Sequence, residues 1–150
     1  MTIFYVDSSA WLKRYFDEPG TGWMASLFER EERLTSSVLG YVEVASALAR
    51  QQVSRKLGGP KLAELRKRLE ADWADMGGLP LTSELAEQAA SLSNEYRLRG
   101  ADAVHLTTVL SLKDSLSGSN DSVRFVASDR ELLEAARRAG MEADDPIFKV

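Results

Sequence analysis

Four acidic residues, in separate parts of the chain, have sequence surroundings typical of metal-binding carboxylates in α/β proteins: Asp7, Glu43, Asp102 and Asp129. Asp7 and Asp129 each follow an apolar run and precede a helical pattern, which places an acid at the carboxyl end of a predicted buried strand. Open α/β sheets bind their ligands at that end. Helix capping is the structural alternative for both, because aspartate is a favoured N-cap residue.

The other two acids lie in predicted helices. Glu43 stands beside a stripe of apolar residues at helical spacing, Val42, Ala45, Ala49 and Val53. Glutamate at the flank of such a stripe is usually a solvated edge residue, so Glu43 is a candidate only. Asp102 is in the first turn of a helix that is apolar on nearly every face and is therefore predicted to be buried. The helix dipole favours an acid there, but a buried acid needs a partner or a metal.

Polar residues near these acids have simpler structural explanations. His105, the only histidine, follows Asp102 by three residues, and a single histidine in a buried helix is usually a hydrogen-bonded core residue. Ser128 and Glu131 have the spacing of a capping box, which predicts Ser128 as the N-cap of the last helix.

The order of the predicted elements indicates how the four acids could meet. Strands alternate with helices throughout, which predicts a parallel sheet with helices on both faces. Right-handed crossovers then bring the carboxyl ends of all parallel strands to one edge. We therefore expect one α/β domain over residues 1–150, with three α/β/α layers and a mostly parallel sheet of about four to five strands.

Composition limits the alternatives. The chain contains no cysteine, which excludes disulfides and thiolate metal sites. It has neither a signal-peptide pattern nor an apolar run of about 20 residues, and we expect a cytoplasmic protein. The net charge of −4 argues against nucleic-acid binding through general basicity. An acidic site loaded with cations would still present positive charge locally.

Converging carboxylates indicate a particular chemistry. They repel one another and raise one another's pKa unless cations neutralise them. Oxygen ligands without cysteine suit Mg²⁺ or Mn²⁺ better than zinc. Such ions lower the pKa of a bound water and stabilise both the attacking and the leaving oxygen of a phosphodiester. The predicted reaction is therefore hydrolysis by metal-activated water, which needs no side-chain nucleophile.

The ordered set of motifs resembles the PIN-domain family and, more narrowly, VapC-type toxins of toxin–antitoxin pairs. The motifs are Val6–Ala10, Glu43 in an apolar helix, Ala101–Leu106 and Val126–Asp129, and together they span essentially the whole chain. The resemblance implies a Mg²⁺- or Mn²⁺-dependent endoribonuclease that acts on RNA and is usually a homodimer. It also implies inhibition by a cognate VapB-type antitoxin, with DNA contacted only through that antitoxin.

By motif match, Asp7 and Asp102 would be the principal metal ligands, and Glu43 and Asp129 would act directly or through water. Ser9 and Ser128 are candidates for orienting a ligand or a phosphate. One position departs from the family pattern: many relatives have Thr or Ser two residues before the last acid, where this chain has Ala127. Ser128 then either replaces that residue or only caps the helix.

Three other classes of protein share part of this pattern. A haloacid-dehalogenase-type phosphatase needs a second aspartate two residues after the first, where this chain has Ser9, and a receiver domain needs an acidic pair that Asp7-Ser8 lacks. A catalytically inactive PIN-like binding or dimerisation module is the third. The four acids argue against it, because unpaired clustered carboxylates cost stability unless a metal neutralises them.

Basic residues on the predicted helices could contact RNA or only keep the surface soluble: Arg50, Arg55, Lys56 and Arg66–Arg68.

Overall fold

The first strand lies at the centre of a parallel sheet. The computed structural model describes residues 1–30 and 32–149. The strands of this part are β1 (Thr2–Val6), β2 (Arg33–Ser37), β3 (Gly77–Leu79), β4 (Ser122–Val126) and β5 (Ala143–Asp144). They form a five-stranded sheet in the order β3-β2-β1-β4-β5, and every neighbouring pair is parallel. The predicted parallel sheet is confirmed.

Helices follow the strands as the sequence pattern predicted. They are α1 (Ser8–Trp11), α2 (Thr21–Glu29), α3 (Val38–Ser54), α4 (Gly59–Asp75), α5 (Ser83–Tyr96), α6 (Gly100–Ser115) and α7 (Arg130–Arg138). Short 3-10 turns at Leu12–Arg14 and Pro146–Phe148 follow α1 and β5. Within the described residues, no helix combines the length and apolar character needed to cross a membrane.

The sheet separates two apolar cores, because successive strand residues point to opposite faces. In β1, Tyr5 packs into the core formed with α5, α6 and α7. Its neighbour Val6 packs into the other core, which α1 to α4 cover. This arrangement is the predicted three-layer α/β/α architecture.

The short helix α1 is held in place by buried aromatic and charged contacts. Trp11 is fully buried, and its ring stacks on Trp73 of α4 at 6.0 Å between centroids. Its indole N–H donates to the Tyr15 hydroxyl over 3.0 Å, and this hydroxyl donates to Asp72 over 2.7 Å. Arg14 makes a two-pronged contact with the same carboxylate, at 2.6 and 3.0 Å. These contacts fix the segment that follows β1.

The apolar stripe noted on α3 is not the buried face of that helix. Val42 and Val53 of this stripe are 61% and 81% exposed. The buried residues are Gly40, Val44 and Leu48. This buried face comes close to β2 and α6 at Gly40. A Cβ atom added there would stand 2.5 Å from Ser36 Oγ and 3.3 Å from His105 Cε1, so only glycine allows this approach without a shift of its neighbours.

Gly40→Ala therefore tests the close approach of α3. Alanine is the better helix former by up to about 1 kcal/mol, but the added methyl would displace Ser36 from its hydrogen bond to the Val6 carbonyl oxygen. We expect a net loss of about 1–3 kcal/mol in the free energy of unfolding, as for an overpacked core, measured by urea denaturation. Gly22→Ala in α2 is the matched control, because its Cβ would meet no atom within 4 Å. Equal stability changes in the two variants would contradict this account.

Candidate active site at the carboxyl edge of the sheet

The four predicted acids line one cleft of about 320 Å³. The cleft lies beside the carboxyl ends of β1 and β4, where the strand order changes direction: the chain places β2 and β3 on one side of β1, and later β4 and β5 on the other. Open α/β sheets bind ligands at such a switch point. The lining residues are Asp7, Ser8, Ser9, Glu43, Arg99, Ala101, Asp102 and Asp129. The structure thus brings the predicted acids together, while their chemical roles stay predictions.

Asp7 is the buried acid of the cleft, with 2% of its surface exposed. Its Oδ1 accepts the Ala10 N–H at 2.9 Å and so caps α1, while the Ser9 hydroxyl donates to the same carboxylate at 2.7 Å. Burial raises the pKa of Asp7 to about 6, although these hydrogen bonds favour the ionised form. Asp7 therefore caps α1 and lines the cleft at the same time.

Ser9 joins the ends of the two central strands. Its hydroxyl, which donates to Asp7, accepts the backbone N–H of Ser128 at 3.0 Å. The N-cap of α7 is Asp129, whose Oδ1 accepts the Leu132 N–H at 3.0 Å, so the prediction of Ser128 as the N-cap is wrong. Within the described chain the buried Ser128 hydroxyl has no hydrogen-bond partner. Ser128 therefore supports the site through its backbone N–H.

Arg99 stands between two of the acids. Its Nε lies 3.3 Å from Asp102 Oδ2, and its Nη2 lies 3.0 Å from Asp129 Oδ2. Burial, followed by the neighbouring charge of Asp129, raises the pKa of Asp102 despite the guanidinium. The sequence reasoning did not single out Arg99, although its spacing of three residues from Asp102 across a helix start is a usable signal.

Glu43 is tied to the core through the only histidine. Its Oε1 lies 2.6 Å from His105 Nε2, and His105 Nδ1 lies 2.8 Å from the Tyr5 hydroxyl. His105 is 1% exposed and Tyr5 is fully buried. His105 is therefore the buried, hydrogen-bonded residue that was predicted. That its partner is a cleft acid was missed, because no local pattern links residues 62 positions apart.

The donor set suits a divalent cation that prefers oxygen ligands. Within the described chain, Glu43 Oε2 and Asp102 Oδ1 accept no hydrogen bond, and Asp7 Oδ2 receives only the Ser9 hydroxyl. As the side chains now stand, no three His, Cys, Asp or Glu residues of the described chain are grouped as the ligands of one ion. Arg99 occupies the space between Asp102 and Asp129. The residues fit Mg²⁺ or Mn²⁺ chemically, and a cation held by Asp129 or by Asp102 Oδ2 would replace their contacts with Arg99.

Comparison with known proteins identifies the family. The PIN domain family matches residues 4–137 of the chain, and the chain belongs to this family. Ribonucleases VapC45 and VapC49, from two strains of Mycobacterium tuberculosis, are each 34% identical to it over 140 residues, which are 93% of this chain and 93% of each relative.

Two solved structures have the same fold. FitAcB from Neisseria gonorrhoeae aligns with a TM-score of 0.69 and 17% identity, over 97% of this chain and 99% of that one. A toxin–antitoxin complex from Klebsiella pneumoniae aligns with a TM-score of 0.63 and 14% identity, over the full length of both chains. At these identities the similarity concerns the fold alone.

The raised pKa of Asp7 gives a stability test on the metal-free protein. A carboxyl group whose pKa is higher in the folded than in the unfolded chain binds more protons when folded, so ionisation destabilises the fold as pH rises from about 4 to about 6. A difference of about two pKa units corresponds to about 2–3 kcal/mol. We expect Asp7→Asn to raise the free energy of unfolding by about 1–3 kcal/mol at pH 7.5 in EDTA and to lose this advantage near pH 4.

Urea denaturation at the two pH values measures the effect. Asp114→Asn is the control, because it removes the same charge from an exposed position of α6. An Asp7→Asn variant that is destabilised equally at both pH values would show that the capping carboxylate, rather than its ionisation, decides stability.

Proposed function

We propose that this VapC-type PIN protein is an endoribonuclease whose four cleft acids hold Mg²⁺ or Mn²⁺. One observation carries the proposal: the carboxylate of Asp7 is buried at the end of the central strand and, within the described chain, forms no ion pair with Lys or Arg. An ionised group in such a place needs a compensating charge. A cation bound in the cleft would provide it.

The arrangement suggests a division of work among the acids. Asp7 and Asp102 are proposed as the principal ligands, with Glu43 and Asp129 acting directly or through water. Ser9 orients Asp7 through its hydroxyl. A bound divalent cation would lower the pKa of a water and stabilise the charge that develops on a phosphodiester. The acids supply the negative charge that retains the cation, so the reaction needs no nucleophile from the chain.

RNA is proposed as the substrate because the curated relatives that match 93% of the chain are named ribonucleases. The net charge of −4 is compatible with an anionic substrate, because the cation would make the cleft locally positive. Residues 1–150 are proposed to act as one nuclease domain.

A VapB-type antitoxin is the proposed partner. Support comes from the toxin–antitoxin complex in which one chain aligns over the full length of this one and from the VapC names of the relatives. We also propose that the protein is a homodimer in the cytoplasm and contacts DNA only through its antitoxin.

The Asp7→Asn/Asp102→Asn variant tests the proposed chemistry. Calorimetric titration should detect Mn²⁺ binding to the wild type. The variant should bind at least 10-fold more weakly because two principal ligands lose their charge, and loss of a ligand's hydrogen-bond partner alone commonly costs about 10–100-fold. Cleavage of total cellular RNA should be lost with it, whereas Asp114→Asn should retain both properties. Binding and cleavage that survive in the double variant would refute the proposed site. Metal binding without cleavage in the wild type would instead favour the inactive PIN-like module.

Arg99→Gln tests whether the guanidinium competes with the cation. It contacts Asp102 and Asp129, so its removal should free both acids and tighten Mn²⁺ binding by about 2–5-fold, the range of an exposed charge contact. Arg97→Gln removes the same charge from an exposed residue two positions away and should leave the affinity unchanged. Weaker binding to Arg99→Gln would mean that Arg99 helps to assemble the site.

A further inference from the structure

We propose that Tyr5 and His105 are positioning residues of the cleft: a buried hydrogen-bond chain fixes the tautomer and the ring of His105, which holds one oxygen of Glu43 and leaves the other for the cation. The inference rests on the proposed metal-dependent function. It concerns groups beneath the cleft, since neither Tyr5 nor His105 lines it.

The direction of the chain follows from its inner end. The backbone N–H of Ser37 donates to the Tyr5 hydroxyl oxygen over 3.2 Å, so this oxygen already accepts one hydrogen bond. A tyrosine phenol has an ordinary pKa of about 10, so Tyr5 carries its proton at neutral pH. The acceptor for this proton in the described chain is His105 Nδ1, at 2.8 Å.

The tautomer of His105 then follows. A neutral imidazole has one N–H and one acceptor nitrogen, and Nδ1 is the acceptor here. The proton therefore lies on Nε2, which donates to Glu43 Oε1 over 2.6 Å. Ser36 and Thr108 also approach the Tyr5 hydroxyl, but within the described chain this hydroxyl meets hydrogen-bond geometry only with Ser37 and His105. The hydroxyls of Ser36 and Thr108 donate to the carbonyl oxygens of Val6 and Val104.

The ring of His105 has little space to reorient. It packs edge-on against the ring of Tyr5, with centroids 5.9 Å apart. Gly40 also lies close to the ring: a Cβ atom added at this glycine would be 3.3 Å from His105 Cε1, a tight contact. Packing thus fixes the ring plane, while the hydrogen bonds fix its protonated nitrogen.

The hydrogen bond from His105 restricts the Glu43 side chain, which would otherwise be free to adopt several rotamers. This side chain is 29% exposed, and ordering a free glutamate side chain costs conformational entropy. The hydrogen bond from His105 orders the side chain before a ligand binds. Within the described chain, Glu43 Oε2 takes part in no hydrogen bond. Hydrogen-bond partners of metal-ligating side chains commonly change metal affinity by about 10–100-fold when they are removed.

The presence of a single histidine makes the first part of the test direct. In the metal-free protein at neutral pH, the nitrogen-15 NMR spectrum should show His105 with a protonated Nε2 and an unprotonated Nδ1. A proton on Nδ1, alone or together with Nε2, would overturn the inference, because Tyr5 could not then be the donor.

The second part measures Mn²⁺ affinity calorimetrically in folded variants. Tyr5→Phe and His105→Leu should each weaken binding by about 10-fold, whereas His105→Gln, which retains an N–H donor near Glu43, should recover part of the loss. Tyr96→Phe, which removes a phenol hydroxyl outside the cleft, is the control and should bind as the wild type does. Stability is measured in parallel by urea denaturation.

The outcomes separate this inference from the proposed function. If the wild type binds Mn²⁺ and all three site variants bind it equally well, a merely structural role for Tyr5 and His105 is established and the inference fails alone. If the wild type itself binds no Mn²⁺, both proposals fail. Loss of affinity in Tyr5→Phe with partial recovery in His105→Gln supports the positioning role.

Discussion

The burial of one carboxylate at the end of the central strand is the constraint on which the site depends. The backbone N–H of Asp7 continues the ladder to β4 by donating to the Val126 carbonyl oxygen at 3.0 Å. Its side chain is met by the N–H of Ala10 and the hydroxyl of Ser9. These contacts offset only part of the cost of burying a charge. The part that remains raises the pKa of Asp7. The neighbouring residues offset part of this cost, and in our proposal a bound cation offsets the rest.

Helix starts help the fold to tolerate four acids in one cleft. Asp7 caps α1, Asp102 stands in the first turn of α6, and Asp129 caps α7. Unpaired backbone N–H groups at these positions favour negative charge. Helices α1 and α7 begin at this edge because they directly follow β1 and β4, whereas α6 follows α5 and also begins beside the cleft. The topology that creates the cleft therefore also supplies part of its electrostatic support.

Sequence reasoning recovers features that depend on local pattern and misses those that depend on register between distant elements. Apolar runs ending in an acid identified the parallel sheet and the place of Asp7, and the first turn of an apolar helix identified Asp102. The capping box at Ser128 was misleading: the Ser9 hydroxyl of α1 accepts the Ser128 N–H, and Asp129 caps α7. The pairing of Glu43 with His105 and the position of Arg99 between two acids arise only when α3, α6 and β4 are assembled.

The central claim is that the fold holds Asp7 in a state that a divalent cation relieves. Carbon-13 NMR titration of the Asp7 carboxyl group, with EDTA and then with saturating Mg²⁺, tests it most directly. We expect a pKa of about 6 in the metal-free protein and a clear decrease with Mg²⁺, because the cation stabilises the ionised form. A pKa near the ordinary value for aspartate that Mg²⁺ leaves unchanged would contradict the claim and leave Asp7 as a helix cap.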